Sequence, residues 1–238
     1  MITVVTKRLP FYSRQEIWFY AGETFAHKNN DLFYQSLVKP SFRVVGFTES
    51  TTSLINLLGS EDNLFEAVKP NTRNEIRRAE KLGAGFKSEN LPDSYFIRKY
   101  LKTYRSFAGV KNLDPNLNSG RLNVLSKQQI LTVTTATLNG TDVTFHAYLR
   151  DNQERVVLLY SHFNTEFADD IQRGFINKYH HWKDILMFRN LGISWYDWGG
   201  LDHKNTPGIA KFKESFGGTP HTFYSFQMKS GLYSLIKR

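Results

Sequence analysis

The chain has 238 residues, 40% of them hydrophobic and 22% charged, a composition that fits a folded globular protein and excludes a disordered or fibrous one. It carries 31 basic and 22 acidic residues, a net charge of +9, which fits an anionic partner such as a nucleotide, a nucleic acid or an anionic membrane surface and equally fits a surface that serves solubility alone. It has no cysteine, which excludes disulfides, a thiol nucleophile and any Cys-ligated zinc site.

Residues 1–58 read as short strands and turns. Ile17-Trp18-Phe19-Tyr20, Leu32-Phe33-Tyr34 and Phe42-Arg43-Val44-Val45 are aromatic or β-branched runs, punctuated by Gly22, Asn29-Asn30 and Pro40. Another strand is expected at 54–58. Met1 to Val5 is too short an apolar run before Lys7-Arg8 to act as a secretory signal. No later run approaches the ~20 apolar residues that cross a bilayer. A cytoplasmic protein is expected, or one lying peripherally on the inner face of a membrane.

Ser60-Glu61-Asp62 opens a short helix that Pro70 ends. Thr72 with Glu75 makes a capping-box pattern for the next helix, which buries Ile76, Ala79 and Leu82 and stops at Gly83. Arg73, Arg77 and Lys81 recur every four residues and form one basic stripe. That stripe fits a solvated face, and it equally fits a surface for phosphates. A third helix is expected over 93–108, with Ile97, Tyr100, Leu101, Tyr104 and Phe107 inward and Gly109 at its end. Residues 114–120 read as a loop.

The clearest β region follows. Strands are expected over 131–138 and 143–150 around an Asn139-Gly140 hairpin turn, and over 155–163. A helix over 169–189 is expected to bury Ile171, Phe175, Tyr179, Trp182 and Leu186. A strand over 193–198 runs into Gly199-Gly200. Thr206-Pro207 then offers a cap and first helical residue to a helix bearing Ile209, Phe212 and Phe216 on one face and ending at Gly217-Gly218. A strand over 222–227 closes the chain. The order from 131 is β-β-β-α-β-α-β. Its strand–helix–strand step implies a parallel pair, 155–163 beside 193–198, with a right-handed crossover. The result is an α/β fold with a mixed sheet. No repeat, low-complexity tract or linker interrupts the chain, so one domain over 1–238 is the simplest organisation.

Two blocks carry a family resemblance. YDWGG at 196–200 followed by GIAKFKESFGG at 208–218, and KPNTRNEIRRAEKLG at 69–83, resemble the C-terminal signature and the basic helix of Fem-type (FemABX-like) acyltransferases. These form a branch of the GNAT superfamily. The resemblance covers residues 52–227, with 59–238 as the family-like core; 1–58 match poorly. It implies a GNAT-like fold and transfer of an acyl or aminoacyl group to an amine of a sugar, a cell-wall (peptidoglycan) precursor or a small molecule. The implied co-substrate is acyl-CoA, with aminoacyl-tRNA as the alternative, and no metal. Implied partners are the acceptor, tRNA in the second case, and an anionic membrane at the periphery. In such folds the donor lies where the strands flanking the long helix splay apart. The helix start here, Gln172-Arg173-Gly174, has one glycine of the usual glycine-rich loop, and Asp169-Asp170 beside it would repel a pyrophosphate.

The residues that resemblance and position single out are few. Lys213 is the candidate for stabilising developing negative charge, with Phe212 beside it at the donor end. Asp197 sits at a strand's C-terminal end, where α/β sites gather. Gly199 and Gly200 let a ligand approach the backbone. Gln172, Arg173 and Gly174 are the remaining donor candidates. Tyr160 and His162 are catalytic candidates on one strand; His146, Tyr196, Arg73 and Arg77 are substrate-binding candidates. A histidine on a sheet is also an ordinary hydrogen-bonded structural residue. His180 and His181 are helical neighbours expected to point apart, so they make no metal pair. No H-x-x-x-H, Walker loop or G-x-S-x-G is present. The basic helix also fits a non-enzymatic protein that binds nucleic acid or a membrane surface.

Overall fold

The computed structural model describes residues 1–9, 12–22, 30–41, 44–90, 92–117, 119–151 and 154–228, with backbone alone for 5–9, 12–14 and 30. They group into two compact units, residues 1–52 with 220–238 and residues 53–219. Among the described residues, ten strands and six helices make an α/β architecture with mixed strand pairing.

The smaller unit is β. Strand β1 (Ile2–Leu9) pairs antiparallel with β2 (Tyr12–Trp18), and β2 pairs parallel with β3 (Asn30–Ser36). The last described strand (Thr219–Met228) pairs antiparallel with β3. Phe33, Phe226 and Met228 bury together, the two phenyl rings stacked at 4.7 Å. The strands expected at 32–34 and 222–227 are here; of the run at 17–20, Ile17 and Trp18 end β2 while Phe19 and Tyr20 lie past it, and Phe42 and Arg43 lie outside the described residues.

In the larger unit, β4 (Val45–Asn56) enters with its last residues. Then come α1 (Glu61–Ala67), α2 (Pro70–Lys81), β5 (Gly85–Glu89), α3 (Ser94–Lys111) and α4 (Ser119–Lys127). The second half is β6 (Leu131–Leu138), β7 (Thr141–Arg150), β8 (Arg155–Phe163), α5 (Asp170–Asn190), β9 (Trp195–Asp197) and α6 (Pro207–Glu214), leading into β10 (Thr219–Met228). Strand order is β4-β9-β8-β7-β6-β5. Asn139 and Gly140 have φ of 50° and 80°, the two positive values that a two-residue type I′ hairpin requires. Across α5, Arg155, Val156 and Val157 pair parallel with Trp195, Tyr196 and Asp197. The β-β-β-α-β-α-β order and the parallel pair are both as the sequence implies.

One sheet face is covered by α2, α5 and the end of α6. Ile76, Trp182, Ile185, Phe188 and Phe216 pack there on Tyr148, Val156, Tyr196 and Trp198. The other face carries α3, whose Tyr100 meets Phe145 and His162 edge-on.

Several local expectations change. Helix α2 starts at Pro70 with Lys69 as its cap, and Thr72 is buried inside the helix without capping it. Proline at the first helical position has no N–H to lose, so it opens α2 as readily as it closes α1. Helix α3 runs through Gly109 and closes at Asn112, left-handed at φ 52°. The expected loop at 114–120 contains the start of α4, and edge strand β5 lacks the apolar alternation that would mark it. Ile171 and Ile209 are exposed, at 71% and 54%. Helix α5 instead buries His180, His181 and Asp184, a polar set that hydrophobic periodicity cannot register.

Candidate active site

Strand β9 pairs with β8 only as far as Val157, while β8 continues from Leu158 to Phe163. Ladder pairing between the two parallel strands therefore ends where the chain turns through Trp198-Gly199-Gly200. Side-chain contacts from Asp197 and Lys213 help to hold that turn. The Asp197 carboxylate accepts the Gly199 N–H at 2.8 Å. The Lys213 ammonium donates to Trp198 O at 2.9 Å and to Gly200 O at 2.6 Å. Asp197 is fully buried, and its second oxygen lies 3.7 Å from Arg155 Nη1. Burial pulls the Lys213 pKa down to about 8, against the opposing pull of Asp197. Phe212 stands beside it, edge-on to Trp198 and His181.

Gly199 has φ +75°, and a Cβ there would overlap the Leu158 carbonyl oxygen. Only glycine lets the turn lie this close to β8. Gly199→Ala should cost at least about 2 kcal/mol, from left-handed strain plus displaced backbone. Gly174 has nothing within 4 Å of its would-be Cβ. Gly174→Ala should therefore be neutral or slightly stabilising in a helix. Urea midpoints for the two variants check the contrast; equal stability would show that the Gly199 approach is not strained.

Behind the turn lies a buried polar chain. Asp184 Oδ2 meets His146 Nδ1 and accepts from the Tyr148 hydroxyl, both at 2.6 Å. The Tyr148 and Tyr196 hydroxyls are 2.9 Å apart, and Tyr196 reaches His181 Nδ1 at 3.2 Å. The His146 ring is sandwiched between His180 at 3.7 Å and His181 at 3.9 Å. His180 is held by Thr144 and Thr134, one on each ring nitrogen. The helical neighbours His180 and His181 thus straddle one ring instead of pointing apart. Burial and neighbouring charges lower both of their pKa values far below the usual range, and raise those of Tyr148 and Tyr196. His146, His181 and Asp184 bring ligand atoms within 4.8 Å of one another. The rings of His146 and His181 are near-parallel, at 21°, so their in-plane lone pairs run side by side. A metal ligand set needs those lone pairs to converge, and these residues read as a hydrogen-bonded core.

Tyr160 and His162 lie on the opposite, α3-covered face of the sheet from His146 and Tyr196. Tyr160 accepts from Arg121 Nη1 at 3.2 Å. His162 stacks on Phe145 at 4.9 Å and shares a 2.8 Å hydrogen bond with Thr103. Burial lowers its pKa to about 3, so it is neutral. Two adjoining cavities of about 180 and 280 Å³ share Lys99, Asp142 and Phe145 on this face. No sequence pattern pointed to them, because they form only when the β6–β7 hairpin meets α3.

The start of α5 is already occupied by its own residues. Asp169 accepts the Gln172 N–H at 2.9 Å. Arg173 pairs with Asp170, donates to Phe167 O and stacks over Phe163 at 4.0 Å. Gly174 is exposed beside them. On α2, Arg77 and Lys81 are exposed, whereas Arg73 is half-buried and donates to Glu66 O. The Arg77 guanidinium lies over the Phe65 ring at 5.2 Å.

No family profile and no curated protein matches this sequence. Solved structures do match its fold. FemX superposes with a TM-score of 0.68 at 13% identity, over 98% of this chain and 85% of that one. L-PGS from Bacillus licheniformis gives 0.56 at 13% identity, over 87% and 71%. The C-terminal domain of a protein described as a lysylphosphatidylglycerol synthetase, from Agrobacterium fabrum, gives 0.55 at 12%, over 87% and 70%. The chain shares its fold with FemX and with these two other structures. In that fold, Gly199, Gly200, Phe212 and Lys213 are gathered at one turn, whereas Gln172 to Gly174 sit at the start of α5 and Arg73 and Arg77 on α2.

Proposed function

We propose that the protein transfers an acyl or aminoacyl group from an activated donor to an amine. The observation that carries this reading is the end of β8–β9 pairing at a glycine turn braced by a half-buried lysine with a lowered pKa. Parallel strands that separate leave backbone groups on β8 available to an extended ligand. The donor lies along this edge, its carbonyl near Gly199-Gly200. An ammonium has three N–H donors, and two of those on Lys213 are spent on carbonyls. The third serves the oxygen on which charge develops as the amine attacks. Asp197 keeps Lys213 cationic and the turn in place. Tyr160, on the part of β8 beyond β9, orients the acceptor.

Two donor classes come into question, and the charge at the start of α5 supports one of them. A coenzyme A pyrophosphate would have to displace the Asp169 cap and face Asp170. This favours an aminoacyl-tRNA ester over acyl-CoA, with an amine of a cell-wall precursor or small molecule as acceptor. Melting curves with acyl-CoAs and with aminoacyl-tRNA test the choice, since a ligand of the native state raises its melting temperature. Stabilisation by neither, with no transfer to any amine tested, would remove the reading.

The exposed Arg77–Lys81 stripe is the candidate phosphate contact on α2. Arg77→Glu should weaken tRNA binding roughly tenfold and flatten its salt dependence. Unchanged affinity in a filter-binding titration would return the stripe to a solvated helix face.

A further inference from the structure

Helix α3 has five basic residues, Arg98, Lys99, Lys102, Arg105 and Lys111, and no acidic one. At about 100° per residue, Tyr95, Arg98, Lys102, Arg105 and Val110 all fall within an arc of roughly 140°. The opposite arc holds Ile97, Tyr100, Leu101 and Ala108, all buried. The outer arc is therefore a solvent face running about 22 Å along the helix. Arg98, Lys102 and Arg105 are exposed and make no ion pair among the described residues, and Lys99 is held by Asp142. A face that served only solubility would carry both signs of charge.

Exposed apolar side chains lie on this arc and just beyond the helix end. Tyr95 is 69% exposed, Val110 68% and, just past the helix, Leu113 50%. They stand at the two ends of the basic stripe. We infer that the outer face of α3 is a docking surface for an anionic lipid bilayer. Cations meet anionic headgroups there, while Val110 and Leu113 enter the boundary with the acyl chains and Tyr95 sits at headgroup level. RNA would satisfy the cations equally well, but it offers nothing to exposed valine and leucine. The lipid surface is favoured because it accounts for both halves of the pattern. No described helix is long and apolar enough to cross a membrane, so such contact is peripheral. Helix α3 lies on the opposite sheet face from α2, so this surface is separate from the proposed donor contacts.

The test needs no substrate, so its failure is distinct from failure of the proposed transfer activity. The protein is sedimented with phosphatidylcholine vesicles, alone or mixed with phosphatidylglycerol, from low to high salt. Binding is expected to the mixed vesicles only and to weaken with salt. Each basic residue at an anionic surface multiplies binding roughly fivefold, so R98E/K102E/R105E, which removes three cations and adds three anions, should lower it by at least about 100-fold. V110S/L113S should lower it roughly tenfold while keeping the salt slope. All five side chains are exposed, so melting temperatures should stay at wild type; K102E alone replaces the triple variant if that variant melts early. Equal binding to neutral vesicles, no loss in the variants, or binding of a structured RNA without any binding to vesicles would each overturn the inference.

Discussion

Lowering the pH from about 7.5 towards 5 should destabilise the protein steeply, because three buried histidines refuse protons that the unfolded chain accepts. His162, His180 and His181 are 3%, 0% and 2% exposed, and all have lowered pKa values, to about 3 for His162. For each, burial is the leading cause. His180 and His181 also face His146, and His181 faces Lys213. The direction follows from linkage. A folded pKa below the unfolded value near 6.5 means the unfolded state binds more protons as pH falls through 6.5. The stabilisation is complete above about pH 6.5 and is lost progressively below it, for His162 down to about pH 3. Each excess proton contributes a slope of about 1.4 kcal/mol per pH unit. Three together rival the whole stability of an ordinary domain, about 5–15 kcal/mol, within a few pH units. Urea midpoints at several pH values measure the slope. His162→Phe gives an internal check, since its neighbours are Tyr100, Tyr104, Phe107 and Phe145 and its partner Thr103 also donates to Tyr100 O. That variant should flatten the slope by about one proton. A flat profile in the wild type would mean that these rings are solvated.

What could be read in advance follows from which forces leave a mark on sequence. The hairpin at Asn139-Gly140, the β8–α5–β9 crossover and the glycine turn were legible because turn chemistry and chain length constrain them locally. The two family-like blocks added the fold, which the superposition on FemX supports. Helix α5 was legible as a helix but not in its burial. Periodicity counts apolar residues, and this helix turns His180, His181 and Asp184 inward because Thr134, Thr144, His146 and Tyr148 await them on the sheet. Such pairing spans more than thirty residues in each case, and nothing local announces it. The same holds for Lys213. Its place in the helix was evident, but not that its ammonium would bind two main-chain carbonyls across the Gly199-Gly200 turn. Tyr160 and His162 were correctly placed on one face of their strand, yet only the pairing of Phe145 with His162 shows that they lie away from His146.

Lys213→Ala should lower turnover by about 10²–10³-fold if the ammonium stabilises developing negative charge. Two of its N–H groups brace the turn, so the substitution also releases Trp198 O and Gly200 O. The stability cost should nonetheless be small, about 1–2 kcal/mol, because removing a half-buried ammonium relieves its desolvation. A purely structural brace would produce a similar melting shift, so activity and stability alone do not separate the two roles. The pH profile does. With a pKa of about 8, Lys213 loses its charge on the alkaline side of neutrality, and turnover that needs the cation should fall above about pH 8. Lys213→Arg keeps a charge that cannot be titrated in this range. Its planar fork fits the two carbonyls poorly, so it should restore only part of the rate, but its profile should stay flat where the wild type declines. Turnover and melting temperature of both variants across pH 6.5 to 9.5 give the readout, once a donor and acceptor pair is in hand. Wild-type turnover in Lys213→Ala would take the residue out of the chemistry. A decline above pH 8 that persists unchanged in Lys213→Arg would assign that titration to another group and leave Lys213 as a brace for the turn.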